Sequence, residues 1–130
     1  MLNDLFKSLN EVFLGSTTLK EYARQMVIGR DLQPTQSPFI NVSISSSERL
    51  DTYDTEAELF EVTFTCAAPK SLPGRVSDVL SLLRSTYHHI YLSGTDFRTI
   101  ELRHTFTGTE QMEESYYTGE ISFEWQIEHV

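Results

Sequence analysis

Apolar and polar positions along this chain change period several times, and the changes mark its elements. In Glu58–Ala67, Phe60, Val62, Phe64 and Cys66 alternate with Glu61, Thr63 and Thr65. Period two over that length predicts a half-buried strand. Pro69, Pro73 and Gly74 then punctuate the chain, and Val76, Val79, Leu80, Leu83, Tyr87, Ile90 and Tyr91 fall on one side of a helix. Ser71 is the expected N-cap, with Pro73 where a missing N–H costs nothing. Upstream, Leu2, Leu5, Phe6, Leu9, Val12 and Phe13 give Leu2–Leu14 one apolar helical face, with Asn3, Asp4, Lys7, Ser8 and Glu11 on the other. Gly15 and Ser16 end it. Thr18-Leu19-Lys20-Glu21 has capping-box spacing, so a short helix burying Leu19, Tyr22, Ala23 and Met26 is expected there. Met26-Val27-Ile28 fits the beginning of a short strand equally well.

Gly29–Pro38 reads as a loop broken by Pro34 and Pro38. Phe39–Ser45 reads as a strand with Ile40, Val42 and Ile44 inward. Ser45–Ala57 reads as a long polar loop, where Glu48, Asp51, Asp54 and Glu56 face only Arg49. Long loops in compact domains are often functional. After the turn Ser93-Gly94-Thr95-Asp96, Thr99–Thr107 is a predicted strand with Ile100, Leu102, His104 and Phe106 on one face. Gly108–Ser115 reads as an acidic loop carrying Glu110, Glu113 and Glu114. Tyr117–His129 is a final strand with Gly119, Ile121, Phe123, Trp125 and Ile127 inward. The order helix, strand, strand, helix, strand, strand predicts an α+β fold. A single, mostly antiparallel or mixed β-sheet is expected, with the helices packed on one face and the other face wet or partner-facing. Phe60, Val62, Phe64, Val79, Leu80, Leu83, Ile121, Phe123 and Trp125 are expected in one core.

Composition narrows the picture. At 130 residues and 39% hydrophobic, the chain is expected to be a single domain, 1–130, with a real core. Its net charge of −9 argues against a basic nucleic-acid-binding surface and against docking on anionic membranes. One cysteine excludes an internal disulfide and suggests a reducing cytoplasm, or a particle assembled there. Met1-Leu2-Asn3-Asp4 opens without the basic and apolar regions of a signal peptide, and no apolar run approaches membrane-spanning length.

Candidate chemistry changes little. Cys66 continues the inward register of Phe64, so a small buried hydrophobe is expected rather than a nucleophile. His88 and His89 are about 100° apart on a helix and are poorly placed to share one metal. His104 is expected to be buried and bonded to backbone. The ladder Glu120, Glu124, Glu128 reads as a solvated strand face or one turned toward a partner. The common nucleotide, zinc-protease, nucleophile-elbow and paired-cysteine motifs are absent from the sequence. No catalytic, cofactor-binding or metal residue is therefore assigned, and a non-enzymatic protein is expected.

In its opening amphipathic helix Leu2–Leu14, the strand start Pro38-Phe39-Ile40-Asn41-Val42-Ser43, the passage Asp54–Cys66, the helix Pro73–Ile90 and the closing Ile121-Ser122-Phe123-Glu124-Trp125-Gln126-Ile127, the chain resembles the tail terminator family of long-tailed bacteriophages, also called tail completion or head–tail joining proteins. The likeness spans most of the chain; Leu14–Arg30, without a clear short strand, departs from it. The resemblance implies a subunit of a hexameric ring that caps the finished tail tube and joins it to the head connector. It also implies residence in the virion tail after assembly in the host cytoplasm, and no catalytic residues. Asp51, Thr52, Tyr53, Asp54 and Thr55 are the expected subunit contact, since a long loop and sheet edges offer one. Glu110, Glu113 and Glu114 are the expected channel-facing carboxylates, which would let DNA pass without specific binding. A second class also fits: a small acidic regulatory or inhibitor protein mimicking nucleic acid, which would gather its carboxylates on one face. A small enzyme is a third, marked by a pocket of perturbed titratable groups.

Overall fold

The computed structural model describes residues 2–29, 37–51, 55–113 and 115–130. The chain begins with α1 (Leu2–Gly15), which buries Leu5, Leu9 and Phe13 at helical spacing. Ser8, expected on the polar side, is buried with them because its hydroxyl donates to the Leu5 carbonyl at 2.8 Å. Ser16 then caps α2 (Thr17–Tyr22), its hydroxyl accepting from the Leu19 N–H at 3.2 Å. The two readings of the next segment are both realised in turn. After α2 comes β1 (Met26–Ile28), which lies parallel to the start of β2 (Phe39–Arg49) with Met26 opposite Ile40. The stretch that departed from the family pattern thus holds a short strand, too brief for periodicity to reveal.

β2 continues past Ser45 to Arg49 through a bulge between Ser46 and Glu48, and pairs antiparallel with β3 (Ala57–Pro69). The loop is therefore shorter than the sequence suggests, and the hairpin longer. The strand is followed by a turn and by α3 (Arg75–Tyr87). Ser71 lies in that turn and is exposed; the N-cap is Gly74, at φ 82°, a conformation that favours glycine. The helix stops at Tyr87, earlier than its apolar stripe implies. His89 adopts φ 64° and donates its N–H to the Leu102 carbonyl at 2.8 Å, so Ile90 and Tyr91 leave the helix.

β4 (Phe97–Thr107) and β6 (Tyr116–His129) complete the main sheet, with a two-residue β5 (Gln111–Met112) added to β6 inside the predicted acidic loop. The order is β1-β2-β3-β6-β4. Among the described residues, only β1 and β2 are directly paired in parallel; β3 and β4 run the same way on either side of β6, linked through α3. All helices cover one face. Phe60, Val62, Phe64, Val79, Leu80, Leu83, Ile121, Phe123 and Trp125 share one core with Leu5, Leu9 and Phe13. Phe64 packs edge-on to Phe123 at 5.7 Å, and the Tyr87 hydroxyl donates to the Leu9 carbonyl at 2.7 Å, tying α3 to α1. Gly119 lies beneath α3: a Cβ there would sit 2.8 Å from Val76 Cγ1, so its lack of a side chain lets the helix approach.

β4 departs furthest from simple alternation. It carries bulges between Thr99 and Glu101 and between His104 and Phe106. Each adds a residue against one on β6, which shifts the following side chains. Phe97, Thr99 and Leu102 are buried, while Ile100 and Phe106, expected inward, are 50% and 52% exposed. Thr99 belongs inside because its hydroxyl accepts the Trp125 indole N–H at 2.9 Å.

Candidate assembly surfaces

The open sheet face is polar. Thr63 and Ser122 share a hydrogen bond at 3.0 Å, Arg103 pairs with Glu124, and Arg98 with Glu128. These exposed pairs are worth little individually. They do neutralise two of the three carboxylates of the outward ladder.

At the turn end of the β2–β3 hairpin, a network gathers on the helix side. Arg49 reaches Asp51 at 2.9 Å and Glu58 at 3.0 Å, and His129 Nε2 lies 3.1 Å from the same Glu58 oxygen. Asp51 also accepts the Ala57 N–H at 3.1 Å, which closes the base of the loop. Partial burial pushes the Glu58 carboxyl up, but hydrogen bonds from Ser46, His129 and Arg49 outweigh it and hold Glu58 below the ordinary carboxylate value. Of the expected contact residues, Asp51 is exposed and Thr55 half-buried; Thr52, Tyr53 and Asp54 lie outside the described residues. No sequence pattern pointed to His129 or Glu58 in this network. Their cross-strand proximity arises from the register.

The second acidic segment sits at the opposite end of the sheet. β5 pairs with Thr118 and Tyr117, whereas the β2–β3 turn lies beyond Ile127 in the same register. At about 3.3 Å per residue, the two ends are roughly 30 Å apart. Glu110 is half-buried, and its carboxylate caps α3: one oxygen accepts from Val76 N–H at 3.1 Å and Ser77 N–H at 3.4 Å, the other from Gly74 N–H at 3.2 Å. Gly74 has no side chain to offer, so a carboxylate distant in sequence does the capping. Glu113 is exposed; Glu114 lies outside the described residues.

The residues weighed for chemistry are placed plainly. Cys66 is buried; burial, helped by the Glu110 charge, pushes its thiol up to about 12, far from a nucleophile's range. His88 and His89 are exposed with ring centres 3.7 Å apart. His88 Nδ1 accepts the His104 backbone N–H at 3.1 Å. Slight desolvation, then the neighbouring positive charges of His89, His104 and Arg84, hold the exposed His88 below the ordinary histidine value. His104 is half-buried and its ring meets Thr107 Oγ1 at 2.6 Å, a side-chain partner where a backbone one was expected. Among the described residues, no three His, Cys, Asp or Glu side chains are grouped to hold a metal ion, and no helix is long and apolar enough to cross a membrane.

The two sheet edges differ. β1 covers β2 only over Ile40–Val42, and among the described residues no strand pairs with β2 beyond it. Beside that stretch is an apolar pocket of about 330 Å³ lined by Leu2, Ile44, Ser45, Ser46, Glu58, Phe60 and His129. The β4 edge is covered by its own chain: Thr99 N–H bonds Leu92 O at 2.9 Å, and Gly94 N–H bonds Phe97 O at 3.0 Å.

No protein-family profile matches the sequence, and no curated protein matches it. Solved structures do match in fold. A chain of the "Virion of native gene transfer agent (GTA) particle" superposes with a TM-score of 0.81 at 8% identity, covering 98% of this chain and 96% of that one. A second solved structure, known by a sequence identifier alone, gives a TM-score of 0.61 at 9% identity, covering 100% of this chain and 96% of that one. The chain therefore has, over nearly its whole length, the fold of a subunit found in an assembled virion particle.

Proposed function

We propose that this protein is a structural virion subunit of the tail terminator kind. It forms a ring of six that caps the tail tube and joins it to the head connector, in the tail of the virion, after assembly in the host cytoplasm. The observation that carries this reading is the end-to-end likeness to a chain of the gene transfer agent virion. The sequence resemblance supplies the finer role. The proposed part is structural and not catalytic, with no cofactor.

The loop Asp51–Thr55 contributes to the subunit contact. Net negative charge, with Glu113 and Glu114 facing the channel, lets DNA slide past without binding; the repulsion acts over roughly 8 Å at physiological salt. Glu110 serves this surface only indirectly, since its carboxylate is engaged by α3. Light scattering of the protein alone and with purified tail tubes tests the reading. The expected result is a closed multimer, or one formed only on tubes, lost on deletion of Asp51–Thr55 while the monomer stays folded. A protein that remains monomeric and never decorates tube ends would refute it. The nucleic-acid mimic reading is weaker, because the carboxylates are divided between two ends of the sheet and several are already paired.

A further inference from the structure

β4 ends the strand order, so the backbone groups it turns away from β6 need partners other than a strand. The chain between α3 and β4 supplies them. Thr99 N–H donates to Leu92 O at 2.9 Å, and Leu102 O accepts from His89 N–H at 2.8 Å. Further along, at the second bulge, His104 N–H has a side chain for its partner: it donates to His88 Nδ1 at 3.1 Å.

That bond fixes the state of the His88 ring. A backbone N–H only donates, so Nδ1 must present its lone pair, and the ring is the neutral tautomer with its proton on Nε2. A proton on Nδ1 would set two donors against each other. The carbonyl and N–H groups that cover the rest of this edge do not titrate, so His88 differs from them in kind. The two neighbouring histidines differ from it as well. His104 Nε2 lies 2.6 Å from Thr107 Oγ1, and a hydroxyl accepts as readily as it donates, so charging His104 keeps that contact. His89 engages the strand through its backbone alone, and its ring stacks on His88 with centres 3.7 Å apart.

Every element around His88 bears on its charge. Arg84 and His89 flank it on the α3 side, and β4 brings His104 and one opposing carboxylate, Glu101. From β6 comes the Phe123 ring, 5.7 Å from that of His104, while Arg103 and Glu124 pair with each other on the open face. Slight desolvation and then the positive neighbours make the folded chain take this proton less readily than the unfolded one. The stabilisation is therefore present above the ordinary value of 6.5 and is lost as pH falls below it.

We propose that His88 is a pH-sensitive cover for the β4 edge: neutral, it closes the edge at His104; protonated on Nδ1, it releases the His104 N–H to water. The device is independent of the assembly proposed above.

Amide hydrogen exchange of the full chain, read by NMR between about pH 7.5 and about pH 5 and corrected for the intrinsic pH dependence of exchange, tests it. Protection of the His104 N–H should fall about fivefold or more toward the acid end, the effect of one lost hydrogen bond. Thr99 N–H, on a carbonyl acceptor at the same edge, should keep its protection. Side-chain nitrogen spectra should show His88 with a bare Nδ1 and a protonated Nε2 at the upper pH. The acid-dependent fall should be absent in His88→Asn, whose oxygen accepts at every pH, and in His88→Leu, which has no acceptor. Equal protection of His104 in the wild type at both ends, or a protonated Nδ1 at the upper pH, overturns the proposal. So does a fall that persists in either variant, or a parallel loss at Thr99, since the edge would then open for another reason.

Discussion

Replacing Glu110 by alanine removes the carboxylate that caps the start of α3. Three backbone N–H groups, of Gly74, Val76 and Ser77, lose a charged acceptor at 3.1–3.4 Å. Losing a helix cap costs about 0.5–2 kcal/mol, and an anion at a helix N-terminus contributes a further 0.3–1 kcal/mol or so. Glu110 is half-buried, so water replaces it only in part. A loss of about 2 kcal/mol is expected, and roughly half that for Glu110→Gln, which keeps an oxygen acceptor but not the charge. For a chain of this size that corresponds to a thermal midpoint lower by about 6–10 °C. Urea unfolding followed by circular dichroism measures the loss, and amide hydrogen exchange at Val76 and Ser77 localises it. Glu113→Ala, at an exposed site on the same segment, is the control and should be nearly neutral. If Glu110→Ala costs less than about 0.5 kcal/mol, or no more than Glu113→Ala, the capping argument fails. The result also guides charge reversal of this loop, which should begin at the exposed Glu113, where the fold is not the first thing disturbed.

Three further outcomes follow from the same contacts. Val79→Asp or Phe123→Asp should leave the chain unfolded, since each places an unpaired charge in the core at a cost of several kcal/mol; folded, cooperative unfolding in both would contradict the register. Gly119→Val should cost about 1–3 kcal/mol by pressing on Val76 and Leu80, and a chemical denaturation midpoint equal to wild type would show that α3 has room to move. Glu58 ionises more readily folded than unfolded, so its contribution is present above its ordinary value of 4.5 and is lost as pH falls below it. The stability difference between wild type and Glu58→Gln should be flat above that pH and shrink below it; a difference growing with acid would reverse the assignment.

Alternation in Glu58–Ala67 and Tyr117–His129 by itself determined the two central strands and the buried faces of Phe60–Cys66 and Gly119–Ile127, because both strands lie between neighbours and one face must leave water. The helical period likewise settled α1 and most of α3, and net acidity set the surface character. Tertiary structure decided the rest. A three-residue strand such as β1 has no period of its own and exists through its pairing with β2. The bulges of β4 turn Ile100 and Phe106 out because an extra residue shifts the pairing, something alternation cannot announce. The α3 cap comes from Glu110, more than thirty residues away, where local capping rules pointed to Ser71. Which edge is open, and which side chains stand level across the sheet, are properties of strand order and register. Those properties belong to long-range pairing.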